Sequence, residues 1–131
     1  MRLVRDHMTS QIQTLHHETV VCDVEKTFLK SNISGAPLVD DSESVVGFVS
    51  KSDISRFDST GDDPFYARAY EIANPRVITV ESSESIEVAA QRMLNEHVHH
   101  LVVMDGQTIV GILSAFDFVR LVANASGDNP E

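Results

Sequence analysis

Gly47-Phe48-Val49-Ser50-Lys51-Ser52-Asp53 and Gly111-Ile112-Leu113-Ser114-Ala115-Phe116-Asp117 follow one pattern, Gly-apolar-x-Ser-x-x-Asp, at an interval of 64 residues. The likeness extends upstream of both. Val45-Val46 falls on Ile109-Val110 at the same interval, and beyond a turn that is one residue shorter in the second copy the interval becomes 65. There Leu38-Val39-Asp40 falls on Val103-Met104-Asp105, Ile33 on Val98, Phe28-Leu29 on Met93-Leu94, Val21 on Ile86 and Ile12-Gln13-Thr14 on Val77-Ile78-Thr79. A self-match of this length with one gap is an internal duplication, so each copy is one supersecondary unit and the two are built alike.

Within each copy the apolar period changes in the same order. Val21, Val24, Phe28 and Leu29 recur at helical spacing, as do Ile86, Ala89, Ala90, Met93 and Leu94, which predicts one amphipathic helix per copy. Two short β-rich runs follow, Leu38-Val39 with Val45 to Val49 and Leu101 to Met104 with Ile109 to Leu113, each pair split by a polar turn. The second helix of each copy is expected to start near Asp53 or Asp117. The fold class is therefore α/β (α+β), with two pseudo-symmetric β-α-β-β-α repeats packed as one compact module. Turn chemistry in Asp58-Ser59-Thr60-Gly61-Asp62-Asp63-Pro64 marks a linker over 58–66, between repeat 1 (1–57) and repeat 2 (67–123). A flexible tail is expected over 124–131.

Ser-x-x-Asp between a strand and a helix is close to a capping box, which needs no ligand. The same groups can also serve one. A carboxylate at a helix start can accept hydrogen bonds from both hydroxyls of a ribose, while the serine hydroxyl, exposed N–H groups and the helix dipole face an attached phosphate. The glycine three residues before the serine permits close backbone approach.

These segments, with Val4-Arg5-Asp6-His7-Met8-Thr9 ahead of the first strand and Ile33-Ser34-Gly35-Ala36-Pro37-Leu38-Val39-Asp40 between helix and strand, resemble a tandem pair of cystathionine-β-synthase (CBS) domains. The resemblance implies a cleft with two sites, each assembled crosswise from both copies. One would join Ser50 and Asp53 to Ile78, Thr79, Val98, His99 and His100; the other would join Ser114 and Asp117 to Gln13, Thr14, Ile33, Ser34 and Gly35. It also implies basic residues facing phosphates at the positions of His99 and His100, so that at least one of the two histidines is open to a phosphate contact or both lie in a solvated turn. Two departures stand out. Val102 replaces the proline present as Pro37, which predicts a looser turn, and Ala73-Asn74-Pro75 replaces the Met-Thr pair of the first leader.

His97-Val98-His99-His100 has zinc-ligand chemistry, but alternation sends His99 and His100 to opposite sides, so no metal is expected. His16 and His17 are expected in a loop, without a role, and Lys51 is open to a phosphate contact or to solvent. Cys22 is the single cysteine, which excludes an internal disulfide and a CxxC zinc site.

Composition narrows the function. Ten basic against 20 acidic residues give a net charge of -10, which argues against nucleic acid and anionic membrane as partners. No apolar run approaches the roughly 18 residues of a membrane span, and the N-terminus lacks a secretory signal, so a cytoplasmic location is expected. No G-x-x-x-x-G-K-[ST] and no carboxylate cluster points to a catalyst, so no catalytic residue is expected. The resemblance implies a non-catalytic regulatory or sensor module that requires no cofactor. Its regulatory ligand would be an adenine nucleotide (AMP, ADP or ATP) or S-adenosylmethionine. It would form a homodimer and act on an effector protein in trans. The alternative is a structural or interaction dimer with empty sites.

Overall fold

The computed structural model describes residues 2–127. Packing divides them into two units, Gln13–Val77, and Ile78 onward together with the leader that ends at Ile12.

In the first unit β1 (Leu15–His16), α1 (Val21–Ser31), β2 (Gly35–Val39), β3 (Val45–Ser50) and α2 (Lys51–Thr60) are followed by a one-turn helix, α3 (Ala69–Ile72). The second repeats the order with β4 (Thr79–Glu81), α4 (Ile86–Glu96), β5 (His100–Asp105), β6 (Thr108–Ser114) and α5 (Ala115–Gly127). Each sheet has three strands, the first parallel to the second and the second antiparallel to the third. The duplication holds to the register: Leu15 pairs with Leu38 as Val80 pairs with Val103, and both hairpins shift register after those central residues.

The helices bury the stripe that the spacing predicts, Val21, Val24 and Phe28 in α1 and Ile86, Ala89 and Met93 in α4. Leu29 and Leu94 instead stay exposed on the flank. Both helices end on a left-handed residue, Asn32 (φ 53°) and His97 (φ 58°), whose N–H donates to the carbonyl of Phe28 or Met93. The strand that follows can then turn back over its own helix. Val4, Val80, Leu101, Val103 and Leu113 centre one core, and Val24, Ala36, Leu38, Val49 and Ala69 the other.

The packed units are offset from the sequence repeats. Each leader packs on the copy to which it does not run: Val4, fully buried, belongs to the core of the second unit, and its counterpart Ala69, also fully buried, to that of the first. Backbone bonds repeat the exchange. Thr9 and Ile112 bond reciprocally at 2.9 and 3.0 Å, and Asn74 and Phe48 at 2.9 Å each way. Burying Val4 contributes about 1.5–3 kcal/mol and anchors the first leader. The departure at Ala73-Asn74-Pro75 leaves this pairing intact, because the main chain makes it.

Three local expectations are corrected. Helix α2 continues through Asp58, Ser59 and Thr60 to a left-handed Gly61, where a linker is expected, because Phe57 is buried and the Ser59 and Thr60 hydroxyls donate to the carbonyls of Arg56 and Phe57. Helix α5 extends through Asn124 to Gly127, its inner face held on the core by Phe118 and Leu121, while 128–131 lie outside the described residues. His16 sits on β1 rather than in a loop, its Nε2 2.6 Å from Asp41 Oδ1.

Candidate ligand-binding site

Strand β3 delivers Ser50 to the N-cap of α2 in extended conformation (φ -125°, ψ 168°). Both halves of a capping box form. Asp53 N–H donates to Ser50 Oγ at 3.4 Å, while Asp53 Oδ2 accepts from Ser50 N–H at 2.8 Å and from its Oγ at 3.0 Å. At the head of α5, Asp117 Oδ2 accepts from Ser114 N–H at 2.8 Å and from its Oγ at 3.3 Å. Asp53 and Asp117 are 8% and 7% exposed, which makes them buried carboxylates in a strongly acidic chain. The other oxygen of each pairs with an arginine one turn on, Asp53 Oδ1 with Arg56 and Asp117 Oδ1 with Arg120 at 2.9 Å.

These arginines are the functional candidates that the motif reading missed. The signal is in the sequence: Arg56 and Arg120 also stand at the 64-residue interval, so the duplicated pattern is Ser-x-x-Asp-x-x-Arg. Carboxylate and arginine line a cavity in each unit. The first, about 540 Å³, also has Phe57, Thr60, Tyr66 and Glu71 in its wall; the second, about 330 Å³, has Leu121, Asn124, Asp6 and His7. The walls match through the duplication, since Phe57 and Leu121, Thr60 and Asn124, and Glu71 and Asp6 are equivalent positions. Both volumes fall in the range of small-molecule pockets.

Within a unit, the helix-to-strand turn lies beside the box of the same repeat. Gly35 pairs with Ser50 and His100 with Ser114 across the hairpins. The first helical N–H groups are consumed there: Lys51 N–H donates to the Ser34 carbonyl at 3.0 Å and Ala115 N–H to the His99 carbonyl at 2.8 Å. Those two amides are thus committed to the turn rather than to a phosphate. Ile33, Ile78 and Val98 are half-buried and pack against the core of their own unit. Gln13 and Thr14 precede β1; Gln13, Ser34, Thr79 and His99 are exposed, and Thr14 and His100 half-buried. His97 has a backbone task as the left-handed end of α4.

The departure at Val102 is accommodated as well. Val102 does not loosen its turn. Its N–H donates to the Ile78 carbonyl at 3.0 Å, a bond that Pro37 cannot make, and β4 pairs one residue further than β1. The motif glycines serve the leaders. A Cβ on Gly111 would stand 2.5 Å from Met8 Sδ and 2.8 Å from the Thr9 carbonyl oxygen, and one on Gly47 3.3 Å from the Asn74 carbonyl oxygen. The backbone that approaches them closely is the protein's own.

A family model described as the CBS domain matches residues 4–59 and again 69–124. The chain belongs to the CBS-domain family. Similar to this CBS pair is the CBS domain pair of protein MJ0100, solved in complex with 5′-methylthioadenosine and S-adenosyl-L-methionine; the two are 25% identical with a TM-score of 0.86, over 95% of this chain and 98% of that one. The CBS domain protein PAE2072 from Pyrobaculum aerophilum, solved with AMP, is also 25% identical, with a TM-score of 0.82 over 95% and 98% of the chains. Among curated relatives, protein MJ1232 of Methanocaldococcus jannaschii is 30% identical over 98% of this chain and 41% of its own length. A homoserine O-acetyltransferase of Methanosphaerula palustris is 28% identical over 92% of this chain and 24% of its own. The CBS pair thus spans less than half the length of either curated relative. No helix among the described residues is long and apolar enough to cross a membrane.

Proposed function

We propose that this CBS pair is a non-catalytic regulatory module that binds an adenosyl ligand, an adenine nucleotide or S-adenosylmethionine, with the ribose held by Asp53 or Asp117. The observation that carries the reading is the duplicated box, a nine-tenths-buried carboxylate in the wall of a cavity in each unit. A buried carboxylate discriminates well in favour of paired hydroxyls, because hydrogen bonds to a charged acceptor are the strong ones. The adenosyl ligands in the MJ0100 and PAE2072 structures support the ligand class. The further contacts assigned from the resemblance, Ile78, Thr79, Val98, His99 and His100 for Asp53 and Gln13, Thr14, Ile33, Ser34 and Gly35 for Asp117, belong to this proposal. So does the effector protein, on which the ligand would act through a change of shape or association.

A homodimer is part of the same proposal. Phe116, Val119 and Val122 form an exposed apolar stripe on α5, whereas their equivalents on α2 are Ser52, Ser55 and Asp58. A stripe of three uncharged side chains on a chain of net charge -10 suits a second copy of the same stripe, because neither copy brings a stripe carboxylate to the contact. Light scattering at micromolar concentration should give twice 14.5 kDa, and Val119→Glu should give the monomer.

The competing reading, an interaction module with empty sites, draws support from the completeness of the caps, since no buried side-chain N or O among the described residues lacks a partner. Calorimetric titration with AMP, ADP, ATP and S-adenosylmethionine separates the two. Saturable binding of at least one is expected; no heat from any of them at millimolar concentration would leave the caps as structure alone.

A further inference from the structure

Each box carboxylate is already in use by its own unit. Oδ2 of Asp53 and of Asp117 accepts from the N–H and Oγ of its serine, and Oδ1 from its arginine; Arg120 reaches Asp117 Oδ1 with two N–H groups, at 2.9 and 3.4 Å. A carboxylate has about four acceptor sites, two on each oxygen. Oδ2 is therefore filled in both boxes, and Oδ1 of Asp117 is filled as well. A ribose arrives with two adjacent hydroxyls.

Resting on the ribose-binding reading above, we infer that Arg56 and Arg120 are latches. Each must release Oδ1 before a ribose is seated, so occupancy of a box is coupled to the freeing of an arginine on α2 or α5. The latch is a positioning device: it holds the carboxylate in its capping rotamer while the box is empty and competes with the ligand for the same oxygen.

The two latches differ in strength. Arg56 is a 72% exposed side chain, whereas Arg120 is 48% exposed, donates twice and lies 5.2 Å from the centroid of the Phe116 ring. Water and salt compete better for Arg56. The Asp53 box therefore opens at lower ligand concentration than the Asp117 box. The duplicated sites fill in order although their boxes have the same residues.

The test uses adenosine, which has no phosphate for an arginine to meet, and 2′,3′-dideoxyadenosine, which has no hydroxyls for the aspartate. Both are titrated into the wild type, Arg56→Met, Arg120→Met and the conservative Arg120→Lys. Losing a competing ion pair whose arginine is open to solvent should tighten adenosine binding roughly 1.5- to 5-fold, more for Arg120→Met than for Arg56→Met, and leave the dideoxy analogue unchanged. Arg120→Lys, which keeps a charge on Asp117, should stay near the wild type. Raising the salt from about 0.05 to 0.5 M should tighten adenosine binding in the wild type and not in the double Met variant. Adenosine affinity that is unchanged or weaker in both Met variants, with thermal melts confirming that they fold, overturns the latch and leaves ribose binding standing. A wild type that binds adenosine no better than the dideoxy analogue overturns the ribose reading, and the latch with it.

Discussion

At the scale of single residues, the motif glycines separate a structural demand from a ligand demand. Gly111 faces the Thr9 carbonyl oxygen at a distance that a Cβ cannot share, whereas at Gly47 the leader needs to yield only a few tenths of an ångström. Gly111→Ala should therefore destabilise by about 1–3 kcal/mol, the cost of overpacking, and Gly47→Ala by less than about 1 kcal/mol, both read from urea melts. Glu84 makes a different residue-scale case. Bonds from Arg92 at 3.1 and 3.2 Å, with the Glu81 N–H, hold its carboxyl below the usual glutamate range against a smaller opposing effect of burial. Since the unfolded chain binds the proton more tightly, the pair stabilises the fold above about pH 4.3 and the contribution is lost as pH falls through the lowered folded value. Glu84→Gln should cost about 0.2–1 kcal/mol at pH 6 and progressively less as pH falls through the lowered folded value. Glu25 has the opposite sign. Burial and the nearby Asp58 raise its pKa, so its contribution is present below the unfolded value and lost as pH rises through the folded one.

At the scale of elements, the helices were legible because their stripes are local, and their ends were less so. Asn32 and His97 occupy equivalent left-handed positions, yet only asparagine is a familiar signal for that conformation. The histidine has the chemistry of a ligand, whereas its backbone angle is the constraint. His97→Gly should stabilise α4 by about 1 kcal/mol and His97→Val should destabilise it, since a β-branched side chain fits φ 58° worst. Thermal melts of the two variants check the sign. The end of α2 is hidden in the sequence because the Asp, Ser and Thr residues of 58–60 have turn chemistry, and Phe57 packing together with two hydroxyl-to-carbonyl bonds overrides it. The Pro37 and Val102 difference shows the converse, a sequence departure that extends a ladder instead of weakening it.

At the scale of the molecule, the duplication was legible from end to end, and the exchange of leaders was not. Periodicity reports neighbours within a few residues, while Val4 finds Glu84 and Thr9 finds Ile112 across most of the chain. The trace it left is the equivalence of two buried small positions, Val4 and Ala69, at the 65-residue interval. The boxes were legible as residue types. Their occupied state was not, because Arg56 and Arg120 are unremarkable until the carboxylates they pair with are seen to be buried. Ribose binding by these carboxylates is tested by a cycle in aspartate and hydroxyl: Asp53→Ala and Asp117→Ala, each titrated with a nucleotide and its 2′,3′-dideoxy form. Each substitution should weaken its own site roughly ten- to hundredfold, from about 1.5–3 kcal/mol of charge-assisted bonding, and the dideoxy form should lose a similar amount on the wild type but little more on the variant. Fully additive losses would show that neither carboxylate contacts the ribose hydroxyls.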